Sequence, residues 1–411
     1  MDNLTSKILS AFFVLAIGTV SAFASDDIAI GQDNATAVTA SENAIDFVKP
    51  GKWQSVIEGD AGSGDTMIIF NFKTNGKVEV TKQDSRTNLT ELKSWKVKAD
   101  GIEIESKESD GIKDLNGKIL KKVDDETFQM DVNGENILMS KHHSTFAWVH
   151  LFGFFLLLVL LNELSRRYKY VSILLYCVIP IAFLPMWMDN GITLWFKWAK
   201  LYSPIIATVW FIVVSHTKLG SKNWAKFLVA AILIINIFEA VGQDFSIGFL
   251  PNTLNALGGI LSIITLSRWK EIGPDNSKER DTLWPGMTLF WIIAYDIWNI
   301  TFVYLNFPDL VVINIAVLLA CTLPAIYIKK GTWLQARAFT LSLFMIYYFT
   351  FTPFVNANMI AAPRNYTLML VMGALSFGAN FIYAVLFFRW KLTKKSPANL
   401  EVGQNAIAYH N

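Results

Sequence analysis

From His142 onward the chain is a succession of apolar stretches joined by short loops, and its Lys and Arg residues collect in every second loop. A chain that crosses a bilayer repeatedly has this pattern, because basic residues are retained in cytoplasmic loops. The stretches fall near 144–162, 170–188, 199–215, 226–245, 252–268, 286–306, 309–328, 333–354 and 366–389. Each has roughly the 17–25 residues that cross about 30 Å of hydrocarbon. If the first runs inward, the inner loops hold Arg166, Arg167 and Lys169; Lys218, Lys222 and Lys226; Arg268, Lys270, Lys278 and Arg280; and Lys329, Lys330 and Arg337. Arg389, Lys391, Lys394 and Lys395 follow the last stretch, while the outer loops hold Lys197, Lys200 and Arg364. The expectation is about nine transmembrane helices with the C-terminal tail in the cytoplasm. Pro204 interrupts the third stretch, and Gly258-Gly259 lies in the short fifth.

Composition adds where the apolar residues are not. Mean hydropathy is +0.36, yet residues 26–141 are charged and turn-rich, so the apolar excess belongs to the rest of the chain. The net charge of +2 is too small and too unevenly spread to indicate nucleic acid. Residues 1–24 have the form of a signal peptide: Lys7, an apolar run from Ile8 to Phe23, and Ala22-Phe23-Ala24 as a cleavage site. An uncleaved first helix is the other reading, and in both the following residues are exported. Residues 25–48 are small and polar and read as a flexible leader. Both cysteines, Cys177 and Cys321, lie in apolar stretches, so an exported domain must fold without a disulfide.

That domain, residues 49–141, reads as a β-meander. Short alternating runs occupy 53–58, 66–72, 77–81, 89–98, 101–106, 118–123, 127–132 and 136–140. Asn75-Gly76, Asp100-Gly101 and Asn133-Gly134 supply the positive φ of tight hairpins. Ile68, Phe70 and Phe72 share a face, as do Trp95 and Val97, Ile102 and Ile104, and Phe128, Met130 and Val132. One buried face implies a small barrel or a strongly curled sheet. The Gly51-Lys52-Trp53 opening followed by this meander resembles bacterial lipocalin-like domains. The resemblance implies either a ligand cavity or a side-chain-filled spacer.

Within 142–395 a second likeness concerns layout. Arg268-Trp269-Lys270 and Arg389-Trp390-Lys391 close two stretches, and the pair Gly220, Trp224 is echoed by Gly331, Trp333. A parallel 3+1+3 repeat of this kind resembles SWEET and PQ-loop transporters, with Pro251-Asn252 similar to the Pro-Asn start of a SWEET helix; the Pro-Gln pair is missing. Taken whole, the chain resembles uncharacterised bacterial multi-pass proteins with a lipocalin-like leader domain.

Polar groups at membrane depth are costly and are candidate sites. Asn236, Glu239 and Gln243 fall at i, i+3 and i+7 on one helical face, with Asp244 beside them. An intramembrane charge costs about 2.5–3.5 kcal/mol on an insertion scale, so that face needs polar neighbours or water. A structural hydrogen-bonded pair is the plainer reading. Asp296 stands mid-stretch among Trp291, Tyr295, Trp298 and Asn299, where a carboxylate could hold a cation, carry a proton, or lie in an aromatic packing seam. Ser376, Asn380 and Tyr383 form a further face, and Asn314 lies in another stretch. Toward the outer side, Asp189, Asn190, Asn252, Asn255, Asn306, Asp309, Asn356, Asn358 and Arg364 suggest a polar vestibule.

No zinc-protease, nucleophile-elbow or phosphate-loop motif occurs, and a metal at His142, His143 and His150 is disfavoured, so the reading includes no cofactor and ranks a membrane enzyme third, behind the two readings that follow. The expected protein is a multi-pass inner-membrane protein with a periplasmic N-terminal domain and residues 396–411 as a cytoplasmic tail. Its expected work is secondary transport of a small polar or cationic solute; an envelope sensor or assembly factor is the alternative. The expected partners are the lipid bilayer, a small-molecule or ion ligand and, as a homo-oligomer, further copies of the chain.

Overall fold

The computed structural model describes residues 48–393, except 49, 58–65, 74–76, 99–100, 106–110, 113–114, 116–117, 133–134 and 190–194. The signal peptide, most of the leader and the cytoplasmic tail lie outside the described residues. So do the hairpin turns at Asn75-Gly76 and Asn133-Gly134.

Eight strands form a closed antiparallel barrel in sequence order: β1 (Gly51–Ile57), β2 (Thr66–Phe72), β3 (Lys77–Gln83), β4 (Asn88–Lys98), β5 (Gly101–Glu105), β6 (Ile119–Lys122), β7 (Thr127–Val132) and β8 (Glu135–Lys141). Closure comes from β1 pairing with β8, where Trp53 is opposite Lys141; it removes the open edges that a curled sheet would leave. The alternation seen in sequence faces inward: Ile68, Phe70, Phe72, Ile102, Ile104, Phe128 and Met130 are all buried. Trp53 meets Phe128 edge-on at 4.6 Å, and Phe72 meets Trp95 edge-on at 5.6 Å. Large side chains thus fill the described inward positions of the barrel. Val97 departs from expectation, being 41% exposed; the Val132 side chain lies outside the described residues. Gly101 does not have the expected positive φ; a Cβ there would lie 2.2 Å from the Leu120 carbonyl oxygen, so close strand approach demands glycine.

The helical part comprises α1 (Ser144–Arg167), α2 (Lys169–Ile173), α3 (Ile179–Ala182), α4 (Leu184–Asp189), α5 (Trp195–His216), α6 (Asn223–Ile247), α7 (Leu250–Ile264), α8 (Leu289–Asn306), α9 (Val311–Tyr327), α10 (Trp333–Thr350), α11 (Thr352–Ala357) and α12 (Tyr366–Leu392). Among the described residues five helices, not nine, are long and apolar enough to cross a membrane: α1, α5, α6, α8 and α12. The other four expected spans fail for identifiable reasons. Residues 170–188 are broken by a π turn at Leu174–Val178 and again at Phe183, near Pro180 and Pro185. Helix α7 has only 15 residues and α9 only 17. Helix α10 places Gln335 and Arg337 within its 18 residues. Arg337, expected in an inner loop, is 6% exposed inside that helix.

Pro204 leaves α5 helical, and the Pro204 carbonyl accepts the Ser342 hydroxyl at 2.7 Å. Helices α6, α7, α8 and α12 pack as one group, and α1, α5, α9 and α10 as another, with α8 against α9 joining them. Of the five, α8 is the most buried: 72% of its most apolar stretch, against 17% for α1.

The barrel sits on one end of this bundle. Gln54 Nε2 donates to the carbonyls of Asn356 (2.7 Å) and Met359 (2.9 Å), and Asn88 Nδ2 to that of Arg364 (2.6 Å). At the opposite end the segment between α7 and α8 folds into a two-stranded ribbon, β9 (Gly273–Pro274) with β10 (Thr282–Leu283). Asp281, 1% exposed, accepts from Arg166 Nη1 at 2.8 Å and from Gln335 Nε2 at 3.1 Å. Lys329 pairs with Asp275 at 2.6 Å and approaches Asp281 at 3.6 Å. Loops that the sequence reading assigns to the inner side thus meet around one ion cluster.

Burial acts to raise the Asp275 carboxyl, but Lys329 and Ser277 outweigh it and hold the group below the usual carboxylate range. A depressed folded-state value contributes stability that is present above about pH 3.9, the unfolded value, and disappears as pH falls through the folded one. Thermal unfolding of wild type and Asp275→Asn should therefore differ at pH 7 and converge toward pH 3. A gap that stayed constant across that range would remove the ion pair as its cause.

Candidate functional site

Helix α8 carries the centre. Its 18 residues contain neither Gly nor Pro, and Thr288 caps it, Oγ1 accepting the Trp291 amide at 3.1 Å. Asp296, in the middle, is completely buried. Its Oδ2 accepts the Thr322 hydroxyl at 2.7 Å, and Thr322 Oγ1 in turn accepts the Trp333 indole N–H at 2.9 Å. Arg337, 6% exposed, lies near Tyr295 and Asp296. Among the described residues two buried polar atoms here have no hydrogen-bond partner, Asp296 Oδ1 and Arg337 Nη1. One is an acceptor and the other a donor, so the site holds unused binding capacity of both signs.

Aromatic rings enclose this pair. Tyr295 stacks on Trp291 at 5.4 Å and meets Trp333 edge-on at 5.0 Å. The indoles are themselves fixed: Trp291 Nε1 donates to the Ser262 carbonyl at 3.1 Å and Trp298 Nε1 to that of Asn255 at 3.0 Å. One turn from Asp296, Asn299 Oδ1 accepts from Asn314 Nδ2 at 3.2 Å. The buried face of α12 adds Asn380, which donates to the carbonyls of Ser376 (2.9 Å) and Ala294 (3.2 Å) and accepts the Ser262 hydroxyl at 2.7 Å. Tyr383 accepts from Thr288 at 3.1 Å on that same face.

The polar face of α6 goes elsewhere. Asn236 and Glu239 are exposed on the outside of the bundle and are not brought to Asp296. Gln243 is half-buried, with Nε2 3.5 Å from Asn306 Oδ1. The carboxylate that α6 does bury is its neighbour Asp244, 0% exposed. A one-residue step rotates a helical side chain by about 100°, so Gln243 and Asp244 face different surroundings.

The outer polar residues do not form an open vestibule. Asn252, Asn255, Asn306, Asp309 and Arg364 are between 0% and 4% exposed, because helix ends and the barrel pack over them. The Asp189 side chain and Asn190 lie outside the described residues. The three histidines near α1 take three different partners: the Ala357 carbonyl for His142, Glu126 for His143 and the Tyr347 hydroxyl for His150.

Sequence reasoning missed Thr322, Trp333 and Arg337. Thr322 and Trp333 give no periodic signal, and Arg337 was absorbed by the loop-charge rule; its position four residues past Trp333, well inside an apolar stretch, was the available clue.

The fold defines a class: an eight-stranded barrel seated on a helical bundle that has, among the described residues, five helices long and apolar enough to span a membrane. Residues 141–411 match the model of a family of unknown function (DUF5692), and the chain belongs to that family. No curated protein and no solved structure matches the chain, so the two likenesses drawn above rest on the residues quoted for them.

Proposed function

We propose that the chain is a multi-pass inner-membrane protein that carries a small polar or cationic solute by secondary transport, with Asp296 and Arg337 at the binding centre. The observation that carries this reading is the pair of buried, unpartnered atoms, Asp296 Oδ1 and Arg337 Nη1, inside an aromatic enclosure. An unsatisfied buried polar atom costs about 1–3 kcal/mol, which a solute bearing both a donor and an acceptor would recover. Trp291, Tyr295 and Trp298 would line the solute, and the rings suit an organic cation. Bilayer contact is supported by the apolar residues turned outward, such as Phe152 (64% exposed), Ile206 (64%) and Ile235 (65%). The barrel is assigned to the periplasmic side from the signal sequence and the loop charges.

The test is a flux screen in proteoliposomes over amines, amino acids and sugars, with Asp296→Asn and Arg337→Gln in parallel. The expected outcome is a solute whose uptake falls at least tenfold in both variants while insertion remains normal. Wild-type uptake in both would end the assignment.

One observation favours the sensor reading: the barrel is fastened to the bundle by Gln54, Asn88 and His142, so a partner on its outer surface could act on the helix ends. Deleting residues 26–140 separates the two. A transporter keeps measurable flux, whereas a sensor loses its output.

A further inference from the structure

At the barrel end of the bundle three helix ends converge on Asp244. It stands three residues before the end of α6, Asn252 and Asn255 lie in the first turns of α7, and Asn306 is the last residue of α8. All four are 0% exposed. Asp244 Oδ1 accepts from Asn252 Nδ2 and from Asn306 Nδ2, each at 2.8 Å, and Oδ2 accepts from Asn255 Nδ2 at 2.7 Å. Ser376 completes the group by donating to Asn255 Oδ1.

A carboxylate offers about four lone-pair directions. Three are filled, which leaves one on Oδ2. Asn252 Oδ1 is buried and accepts no hydrogen bond from the described residues. Among the described residues no cation pairs with Asp244: its polar partners are the three neutral amides. Two basic side chains approach this end of the bundle, and both are spent on carbonyls: Arg86 Nη2 on Ile247 at 3.4 Å, and Arg364 Nη2 on Leu305 and Ser85. Neutral amides solvate a buried carboxylate without cancelling its charge, and an uncancelled buried charge is strongly unfavourable. Either a proton or a small cation must balance it. Three donors aimed at the carboxylate match the ionised form, since a protonated carboxyl needs an acceptor where these amides present N–H.

We propose that Asp244 and Asn252 form a binding site for a monovalent alkali cation, sodium foremost, which would take the free lone pair of Asp244 Oδ2 and the unused Asn252 Oδ1. The donors are hard oxygens carrying a single negative charge, which suits an alkali ion better than a divalent or a thiophilic one. The C-terminal ends of α6 and α8 add partial negative charge at the same place, against the single positive N-terminal end of α7. The site does not depend on the transport reading, because binding alone defines it.

The test is thermal unfolding of the purified full-length protein in detergent, in sodium, lithium, potassium or choline chloride at equal ionic strength. The expected result is a saturable rise in Tm of several degrees with sodium over choline, and an apparent affinity at least tenfold weaker in Asn252→Ala. The shift should be absent in Asp244→Asn; should that variant not fold, Asn252→Ala carries the test. Equal Tm in all four salts would overturn the proposal, as would a sodium shift unchanged in Asn252→Ala. So would stability that responds to pH near neutrality but not to sodium, which would give the site to a proton.

Discussion

Replacing Asp281 by alanine is expected to lower the stability of the folded protein by about 3–5 kcal/mol, the usual consequence of removing one partner from a buried ion pair. Asp281 is almost wholly inaccessible and binds Arg166 at 2.8 Å, with Gln335 at 3.1 Å and Lys329 at 3.6 Å. Without it, Arg166 keeps its ion pair with Glu163, at 3.0 Å, and Gln335 loses an acceptor. The loss should sit toward the lower end of the range because Lys329 retains Asp275. Denaturant unfolding in micelles measures it, and the Asp281→Ala, Arg166→Ala double variant should cost less than the sum of the singles, since both remove one interaction. A single-variant effect below about 1 kcal/mol would mean that solvent or Glu163 compensates.

The second large effect is expected at Gly259. An ideal Cβ there would lie 2.6 Å from Val241 Cγ2 and 2.8 Å from the Trp298 indole nitrogen. Both neighbours belong to the closely packed group around α8, so neither yields cheaply. Gly259→Val should cost about 2–4 kcal/mol, overpacking plus the loss of the Trp298 hydrogen bond to Asn255. Because Asn255 also binds Asp244, the change should disturb the amide cage and with it any sodium-dependent rise in Tm. Gly153 is the control: a Cβ at that helical position meets nothing within 4 Å, so Gly153→Ala should be neutral or stabilise by roughly 0.4–1 kcal/mol. Equal effects at the two glycines would refute a steric role for Gly259.

The barrel was legible almost strand by strand. Period-two alternation is a local property, and Phe70 or Met130 points inward whatever the rest of the chain does. Helix positions were legible too, since each expected stretch coincides with helix. Which of them could span a membrane was not. A window of apolar residues conceals the π turn at Leu174–Val178 and the 15-residue limit of α7, because both depend on backbone hydrogen bonding that hydropathy ignores.

Of the candidate centre, Asp296 with Trp291, Tyr295 and Trp298 could be picked out because a lone acid among rings on one helix is a local anomaly. Asn236 and Glu239 were picked for the same reason and lie outside the bundle; periodicity places residues on a common face and says nothing of what that face meets.

The sequence by itself determined the division into a β-meander and an apolar helical part, the barrel's inward face and the presence of costly polar groups among apolar stretches. These follow from composition and periodicity. Only the tertiary structure decided that the barrel closes and fills, that Arg337 is buried near Asp296, and that Asp244 rather than Glu239 is buried. Asn252, Asn255 and Asn306 are spread over 55 positions of chain and meet only because three helix ends pack together.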